Sequence, residues 1–530
     1  MRRPPVPTPP RLSRSGRALQ LLLLATAACF AWPQAAAQQR VDLRKLDAYI
    51  AQARADWQVP GMAVAIVQDG KVVFERGYGV RHVTDGGLVD AHTLFAIASN
   101  TKAFTATSLA MLVDEGKIAW DTPVTDLLPY FQLYDPYVTR EMRVRDLLSH
   151  RSGLGTYSGD LLWYGTGYSA ADVVRRARYL APARGFREGY GYSNLMFIAA
   201  GELIPAVTGL RWDAFVTARI LAPLGMSETV TSVSQLAGHA NVATPHTEKD
   251  GRVVPVSWYP WDAMGSAGGI ISSAHDMARW LILQLGRGAV NGTRLFSEEQ
   301  SRRMWTPHTP IPVGAATEKR FPSTHFQSYG LGWSLRDYRG RKIVLHGGAY
   351  DGMFSQVVLV PEEQLGLVIL TNATTSLQSA LWYTIVDAYL GAPDADWSRD
   401  FLTRARLERR TEVTRWEEWT RTRVAGTAPS RPLADYTGTY GGAMYGDVSV
   451  TQENGGLVVR FLPAPDFVGD LTHWHYDVFR IHWRHAFPWF GDGLVQFRLD
   501  DQGNVTDMRI DVPNDDFWFT ELALKRRAAP

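Results

Sequence analysis

At 530 residues the chain is longer than one hydrophobic core supports, since single cores stop growing near ~250–300 residues, so two or three packed units are expected. A composition of 45% hydrophobic and 20% charged residues is ordinary for a globular protein, and a single cysteine excludes an internal disulfide framework and a Cys-built zinc cage. The formal charge of +2 comes from five arginines before residue 18; without them 50 basic residues face 53 acidic ones, a balance of −3 that speaks against a nucleic-acid partner.

Residues 1–37 read as a signal peptide: a basic start, an apolar stretch over 19–31, and Ala35-Ala36-Ala37 as a cleavage site before Gln38. The expectation is an exported protein, secreted or periplasmic. The apolar stretch falls short of the ~20 residues that span a bilayer, and no later segment is long and apolar enough, so no stable membrane span is expected. Cys29 offers a lipidated start as the alternative, with Thr26 a poor match at the position before it.

Leu43, Leu46, Ile50 and Ala53 recur at helical spacing over 41–54. Met62–Val67 then reads as a buried strand, and Asp69-Gly70 turns it into a second strand at Val72-Val73-Phe74. From about 94 to 285 the pattern is mostly helical. Strand signals return at Tyr329–Leu335, Ile343–His346, Ser355–Val360 and Leu365–Leu370, and a helix carrying Leu377, Leu381, Ile385 and Tyr389 follows. Strands at both ends of a helical middle predict one sheet built from both ends, an α+β fold over 41–391. Residues 392–431 are charged and Pro-bounded, a helical linker. Short strands at Asp447–Thr451, Leu457–Phe461, Val478–His482, Val495–Leu499 and Asp507–Val512 predict a small antiparallel barrel or sandwich over 432–526.

Of eight lysines only Lys102 completes a Ser-x-x-Lys, with Ser99. A serine opening a helix has free backbone N–H groups beside its hydroxyl, and a lysine one turn on shares its face and can take its proton. The tetrapeptide alone equally fits an N-cap serine with an incidental surface lysine. Tyr192-Ser193-Asn194 is the only Tyr-x-Asn and leads into the apolar helix 195–206. A lysine ammonium near Tyr192 would depress the phenol and make it a base, and the Asn194 amide could hold a substrate carbonyl. His346-Gly347-Gly348 ends a strand, where two glycines let backbone approach a ligand and present N–H groups to an oxyanion. Singly, Tyr192 reads as a core tyrosine and His346 as a strand-end histidine; the ordered trio is more specific. No Gly-x-Ser-x-Gly occurs, and His473, His475, His482 and His485 lack carboxylate or cysteine spacing for a metal. No metal or cofactor is expected.

The trio resembles the serine β-lactamase and penicillin-binding-protein superfamily, in its class C-like branch (peptidase S12) that also holds D-aminopeptidases, D,D-carboxypeptidases and esterases. Leu147-Leu148-Ser149-His150-Arg151-Ser152-Gly153-Leu154, Gly265–Gly269 and Asp276-Met277-Ala278-Arg279-Trp280 are similar phrases. Tyr436-Thr437-Gly438-Thr439-Tyr440 resembles the start of an appended lipocalin-like domain. The resemblance implies Ser99 as acylated nucleophile, Lys102 as its activator, Tyr192 as general base and Asn194 as binder of the substrate amide. Gly347 and Gly348 would shape the site, with the N–H groups of Ser99 and Ala349 as oxyanion hole. His346 stands where β-lactamases carry lysine; an imidazole of ordinary pKa, ~6.5, is mostly neutral at pH 7 and offers a substrate carboxylate no full charge. The implied activity is hydrolysis of small amides or esters, D-amino-acid peptides foremost. The alternatives are a β-lactamase or D,D-carboxypeptidase, or a slowly acylating sensor. The partner is a small-molecule or peptide substrate, a homo-oligomer is compatible with the sequence, and the tail, lacking all three motifs, is expected to take no part in bond-making.

Overall fold

A computed structural model describes residues 41–249 and 251–528, with the side chains of 409–415 outside the description. The signal-peptide reading of 1–37 and the Cys29 alternative lie outside the described residues. Helix α1 (Leu43–Asp56) starts at Asp42, whose carboxylate accepts from the backbone of Arg44 and Lys45, an N-cap, and buries Leu46, Ile50 and Ala53. Strands β1 (Gly61–Gln68), β2 (Lys71–His82) and β3 (Gly86–Leu88) follow. The helical middle includes α2 (Thr101–Asp114), α3 (Asn194–Thr208) and α4 (Ala274–Leu285). Then come β4 (Thr309–Ile311), β5 (Gln327–Tyr329), β6 (Ser334–Tyr338), β7 (Arg341–Tyr350), β8 (Met353–Val360), β9 (Leu365–Thr371) and α5 (Leu377–Tyr389).

The nine strands form one sheet in the order β4-β5-β6-β7-β8-β9-β1-β2-β3, so both chain ends of this region do build it. The seam is antiparallel β1 on β9, with Val64 opposite Ile369. The uninterrupted apolar run of β1 has its reason in two covered faces. Met62, Val64 and Ile66 pack into the layer of α1 and α5, while Ala63, Ala65 and Val67 face the helical middle. The strand expected over Tyr329–Leu335 is instead broken between β5 and β6. Gly330 lies so close to Met304 that a Cβ would sit 2.2 Å from its carbonyl oxygen, and Gly332 takes a left-handed φ of 76° against the backbone of Lys102. The chain there is bent around α2 rather than extended.

Helix α6 (Trp397–Thr422) is the charged linker, capped by Asp396. Eight strands then close a barrel: β10 (Gly438–Gly442), β11 (Gly446–Glu453), β12 (Gly456–Phe461), β13 (Val468–His475), β14 (Val478–Trp483), β15 (Gly493–Leu499), β16 (Val505–Asp511) and β17 (Leu524–Arg526), the last pairing with the first. Closure removes exposed sheet edges. Tyr436, Tyr440, Phe461, Phe479, Trp483 and Phe497 are buried in mutual ring contact, as edge-to-face and tilted pairs 5.0–5.8 Å apart.

The barrel does not stand apart. Its buried residues belong to the same apolar cluster as the helical middle, with Phe517 packed 4.4 Å from Tyr164. Tyr168 donates to the Tyr445 carbonyl, and Arg176 to that of Met444. Among the described residues no single helix is long and apolar enough to cross a membrane.

Candidate active site

Ser99 lies in the single turn Ala98–Asn100 that runs into α2. Ala98 just before it holds a φ of 46°, a left-handed conformation that strains any residue with a Cβ and recurs at functional sites. Neighbours hold the turn in place: Asn100 Nδ2 donates to Ser355 Oγ (2.8 Å), which donates to the Ile97 carbonyl (2.8 Å). Gly348 on β7 is required here, because a Cβ would meet the Ile97 oxygen at 2.1 Å. Gly347 is different: a Cβ there meets nothing closer than 3.6 Å.

Lys102, one turn along α2, is fully buried. Its Nζ lies 2.9 Å from Ser99 Oγ, 2.7 Å from Asn194 Oδ1 and 2.9 Å from the Ala267 carbonyl. The last contact explains the glycine-rich phrase at 265–269. Its backbone is laid against α2 by Thr105, which donates to the Ser266 carbonyl (2.7 Å), and Gly201 admits Ser266 because a Cβ would sit 2.3 Å from its hydroxyl. Burial drives the Lys102 ammonium from 10.5 down to about 7, opposed by the carboxyl of Asp160. An amine poised near neutrality can accept the Ser99 proton.

Tyr192 and Asn194 come together with Ser99 and Lys102, as the spacing suggested, but the electrostatics differ from expectation. Lys102 Nζ sits over the Tyr192 ring face, 4.8 Å from its centroid, and burial pushes the phenol well above 10, only partly offset by its hydrogen bond with Ser99. Burial thus works against the expected phenolate-like base and favours the neutral phenol. The phrase Leu147–Leu154 positions it. His150 stacks on the ring at 4.2 Å, and its Nδ1 accepts from the Ser193 N–H (3.1 Å) at the start of α3.

His346 is buried with both nitrogens committed. Nδ1 donates to the Gly347 carbonyl (2.6 Å) and Nε2 accepts from the Tyr329 hydroxyl (2.8 Å). Burial, then the nearby Lys102, lower its pKa to about 3, so it is neutral for a stronger reason than an ordinary imidazole and stays so at pH 6. It presents no free ring nitrogen to a ligand; the member of its motif that reaches the pocket is Ala349.

That pocket, about 60 Å³, is lined by Ser99, Tyr192, Asn194 and Ala349 together with groups not singled out in the sequence. Asp160 is 2% exposed; its Oδ2 accepts from Asn194 Nδ2 (2.7 Å), its Oδ1 has no protein partner, and burial raises it to about 8. Trp489, Asp516 and Phe517 come from the barrel. Burial, then Asp515, raises Asp516 to about 6. Among the described residues no cluster of His, Cys, Asp or Glu is arranged to hold a metal. In the barrel, His473 hydrogen-bonds the Tyr476 carbonyl and His482 pairs with Asp492.

A family model described as Beta-lactamase matches residues 46–390, and a domain of unknown function (DUF3471) matches 422–526. An unguisins hydrolase of Aspergillus campestris is 32% identical over 423 residues, covering 74% of this chain and 75% of its own. Penicillin-binding protein 4 of Amycolatopsis lactamdurans is 30% identical over 334 residues, 60% of this chain and 82% of its own. The octameric penicillin-binding protein homologue from Pyrococcus abyssi superposes with a TM-score of 0.60 at 22% identity, over 92% of this chain and all of that one, and so shares the fold through the barrel.

Proposed function

From the premise that this chain belongs to the beta-lactamase family and is a serine hydrolase, we propose that it works through an acyl-enzyme on Ser99 and cleaves small amides or esters, D-amino-acid peptides foremost. The observation that carries the reading is the donor count at Lys102. A neutral amine has two N–H bonds and one lone pair. The carbonyl oxygens of Asn194 and Ala267 can only accept, so they take both N–H bonds and leave the lone pair facing the Ser99 hydroxyl.

Lys102 takes the Ser99 proton as Oγ attacks the substrate carbonyl carbon, and the N–H groups of Ser99 and Ala349 hold the oxyanion. As the carbonyl re-forms, the bond to the leaving group breaks, and the Tyr192 phenol protonates that group and is reprotonated by the Lys102 ammonium. Water then attacks the ester, its proton returning along the same path, and Ser99 regains its hydrogen. Asn194 retains one N–H for the substrate amide, and His346 supports the site from behind through Tyr329 rather than touching substrate. The carboxyl of Asp516 suits a substrate with a cationic amino group, and the small, aromatic-walled pocket suits a small acyl group. The basic, apolar and Ala-rich order of residues 1–37 supports export, which N-terminal sequencing of the mature protein checks.

The deciding experiment pairs purified protein with p-nitrophenyl esters, D- and L-aminoacyl anilides and a chromogenic cephalosporin, with intact-mass detection of an adduct on the Ser99 peptide. D-aminoacyl anilides should turn over fastest, and Ser99→Ala should lose about 10³-fold or more. Equal turnover or equal labelling of that variant defeats the assignment.

A further inference from the structure

The barrel reaches the catalytic lysine through hydrogen bonds joined by one step of backbone, from Gly159 to Asp160. Glu521 lies in the short turn Phe519–Glu521 before β17. Its two carboxylate oxygens accept from the Ser158 hydroxyl (2.5 Å) and the Gly159 N–H (2.8 Å). This two-point grip falls on a turn with little freedom of its own: Gly159 has a φ of 80°, and a Cβ there would sit 2.5 Å from Leu180. Asp160 is the next residue. Its carboxyl accepts from Asn194 Nδ2, and Asn194 Oδ1 in turn accepts from Lys102 Nζ.

The Asn194 amide can be turned either way, and its two ends are chemically opposite. With Asp160 accepting on the far side, the NH₂ must face Asp160 and the carbonyl must face Lys102. With Asp160 withdrawn, the amide is free to flip and point an N–H at the lysine, where it competes with Ser99 for the lone pair. We propose that Glu521 is a positioning residue that acts through Asp160 and Asn194 on Lys102, which makes the barrel a working part of the catalytic site. This rests on the reading of Lys102 as the base that activates Ser99. The other ionisable groups around the lysine, His150, His346 and Tyr192, are set by contacts of their own and not by Glu521. Asp516, also from the barrel, faces Asp160.

A double-variant cycle on the full chain tests the proposal, read as the rate of Ser99 labelling by a fluorophosphonate and as kcat, with melting temperature followed separately. Glu521→Ala should slow labelling about tenfold and Asp160→Ala, which leaves Asn194 without its acceptor, about thirtyfold. The double variant should be no more than about twofold slower than Asp160→Ala alone, because both act on one amide. Glu521→Gln can still accept from Gly159 and donate to Ser158, and should stay within about threefold of wild type. A role confined to stability would lower the melting temperature and leave the rates independent. Losses that multiply in the double variant, or a Glu521→Ala that labels at the wild-type rate, overturn the proposal. If Glu521→Ala does not fold, Ser158→Ala takes its place in the cycle with the same expected non-additivity. Wild type that never labels would instead defeat the acyl-enzyme reading itself.

Discussion

Replacing Lys102 by methionine should stop acylation and yet leave the protein about as stable as wild type at pH 7, or more so. Burial holds the Lys102 ammonium near 7 instead of 10.5. At ~1.36 kcal/mol per pKa unit, keeping this lysine inside costs about 5 kcal/mol at neutral pH, because the unfolded chain carries it fully protonated. Methionine removes that penalty at similar volume. Against the gain stand the Asn194 and Ala267 oxygens, each left without a donor at ~1–3 kcal/mol. The net change is between about −1 and +3 kcal/mol, in a variant that cannot activate Ser99.

The pH dependence separates this account from an ordinary repacking effect. The folded pKa lies below the unfolded one, so between pH 7 and 10.5 the unfolded chain binds the extra proton, and raising the pH favours the folded wild type by up to ~1.4 kcal/mol per unit. Lys102→Met lacks this contribution. Its stability relative to wild type should therefore fall by about 3 kcal/mol from pH 7 to 9.5, measured by urea unfolding of both proteins in parallel. A difference flat across that range would mean that Lys102 is folded as an ordinary charged lysine, and the base assignment would go with it.

His346 should be silent in the working pH range. The ratio of kcat/KM for a D-alanyl-D-alanine peptide to that for its C-terminal amide should stay level from pH 8 to 5.5, and a bend near 6 would reveal an imidazolium the hydrogen bonds forbid. Asp516→Asn should lower kcat/KM for an aminoacyl anilide with a free amino group about tenfold while sparing its N-acetylated form, equivalent to ~1.4 kcal/mol for one charge-assisted contact; equal losses on both would remove Asp516 from substrate recognition. A chain cut near residue 428 should lose at least about tenfold in the rate of Ser99 labelling even when soluble, since the pocket loses Trp489 and Phe517 and the 158–160 turn loses Glu521. Undiminished labelling of the cut chain would restore the expectation of a detached tail.

The parts of the site legible in the sequence are those whose chemistry is local. Ser99 and Lys102 share one helix face, so three residues of spacing already imply their contact, and Gly348 announces a close approach that the Ile97 carbonyl then explains. The sheet was legible because β1 and β9 are apolar on both faces and leave no other place to go. Three barrel strands, 438–442, 468–475 and 524–526, escaped because they alternate weakly or contain glycine, charge and histidine; pairing across the closed barrel defines them more than their own composition does. Asp160 gave no signal for a different reason. A lone aspartate opening a short turn completes no motif, and only the fold shows it buried against Asn194. Glu521, Trp489, Asp516 and Phe517 lie more than 380 residues from Ser99, beyond any spacing rule.

The difference between the motif reading of Tyr192 and its surroundings has a physical cause. Motif chemistry assigns Tyr192 its charge from the neighbouring lysine, as though that lysine were an ammonium in water, and gives His346 only the neutrality of an ordinary imidazole. In the folded protein all three are dry, and burial acts in opposite directions on acids and bases: it raises phenols and carboxyls and lowers amines and imidazoles. It thus brings Lys102 down to about 7 and Asp160 up to about 8, so that the two groups bridged by Asn194 meet near neutral pH, while Tyr192 and His346 are carried out of the range altogether. Burial is therefore the condition that the proposed role of Lys102 as base requires. Trp489 and Phe517 of the barrel line the same pocket as Ser99 and Asn194. The barrel lacks every catalytic motif, yet it lines the pocket with Trp489, Asp516 and Phe517 and, through Glu521, grips the turn that leads into Asp160.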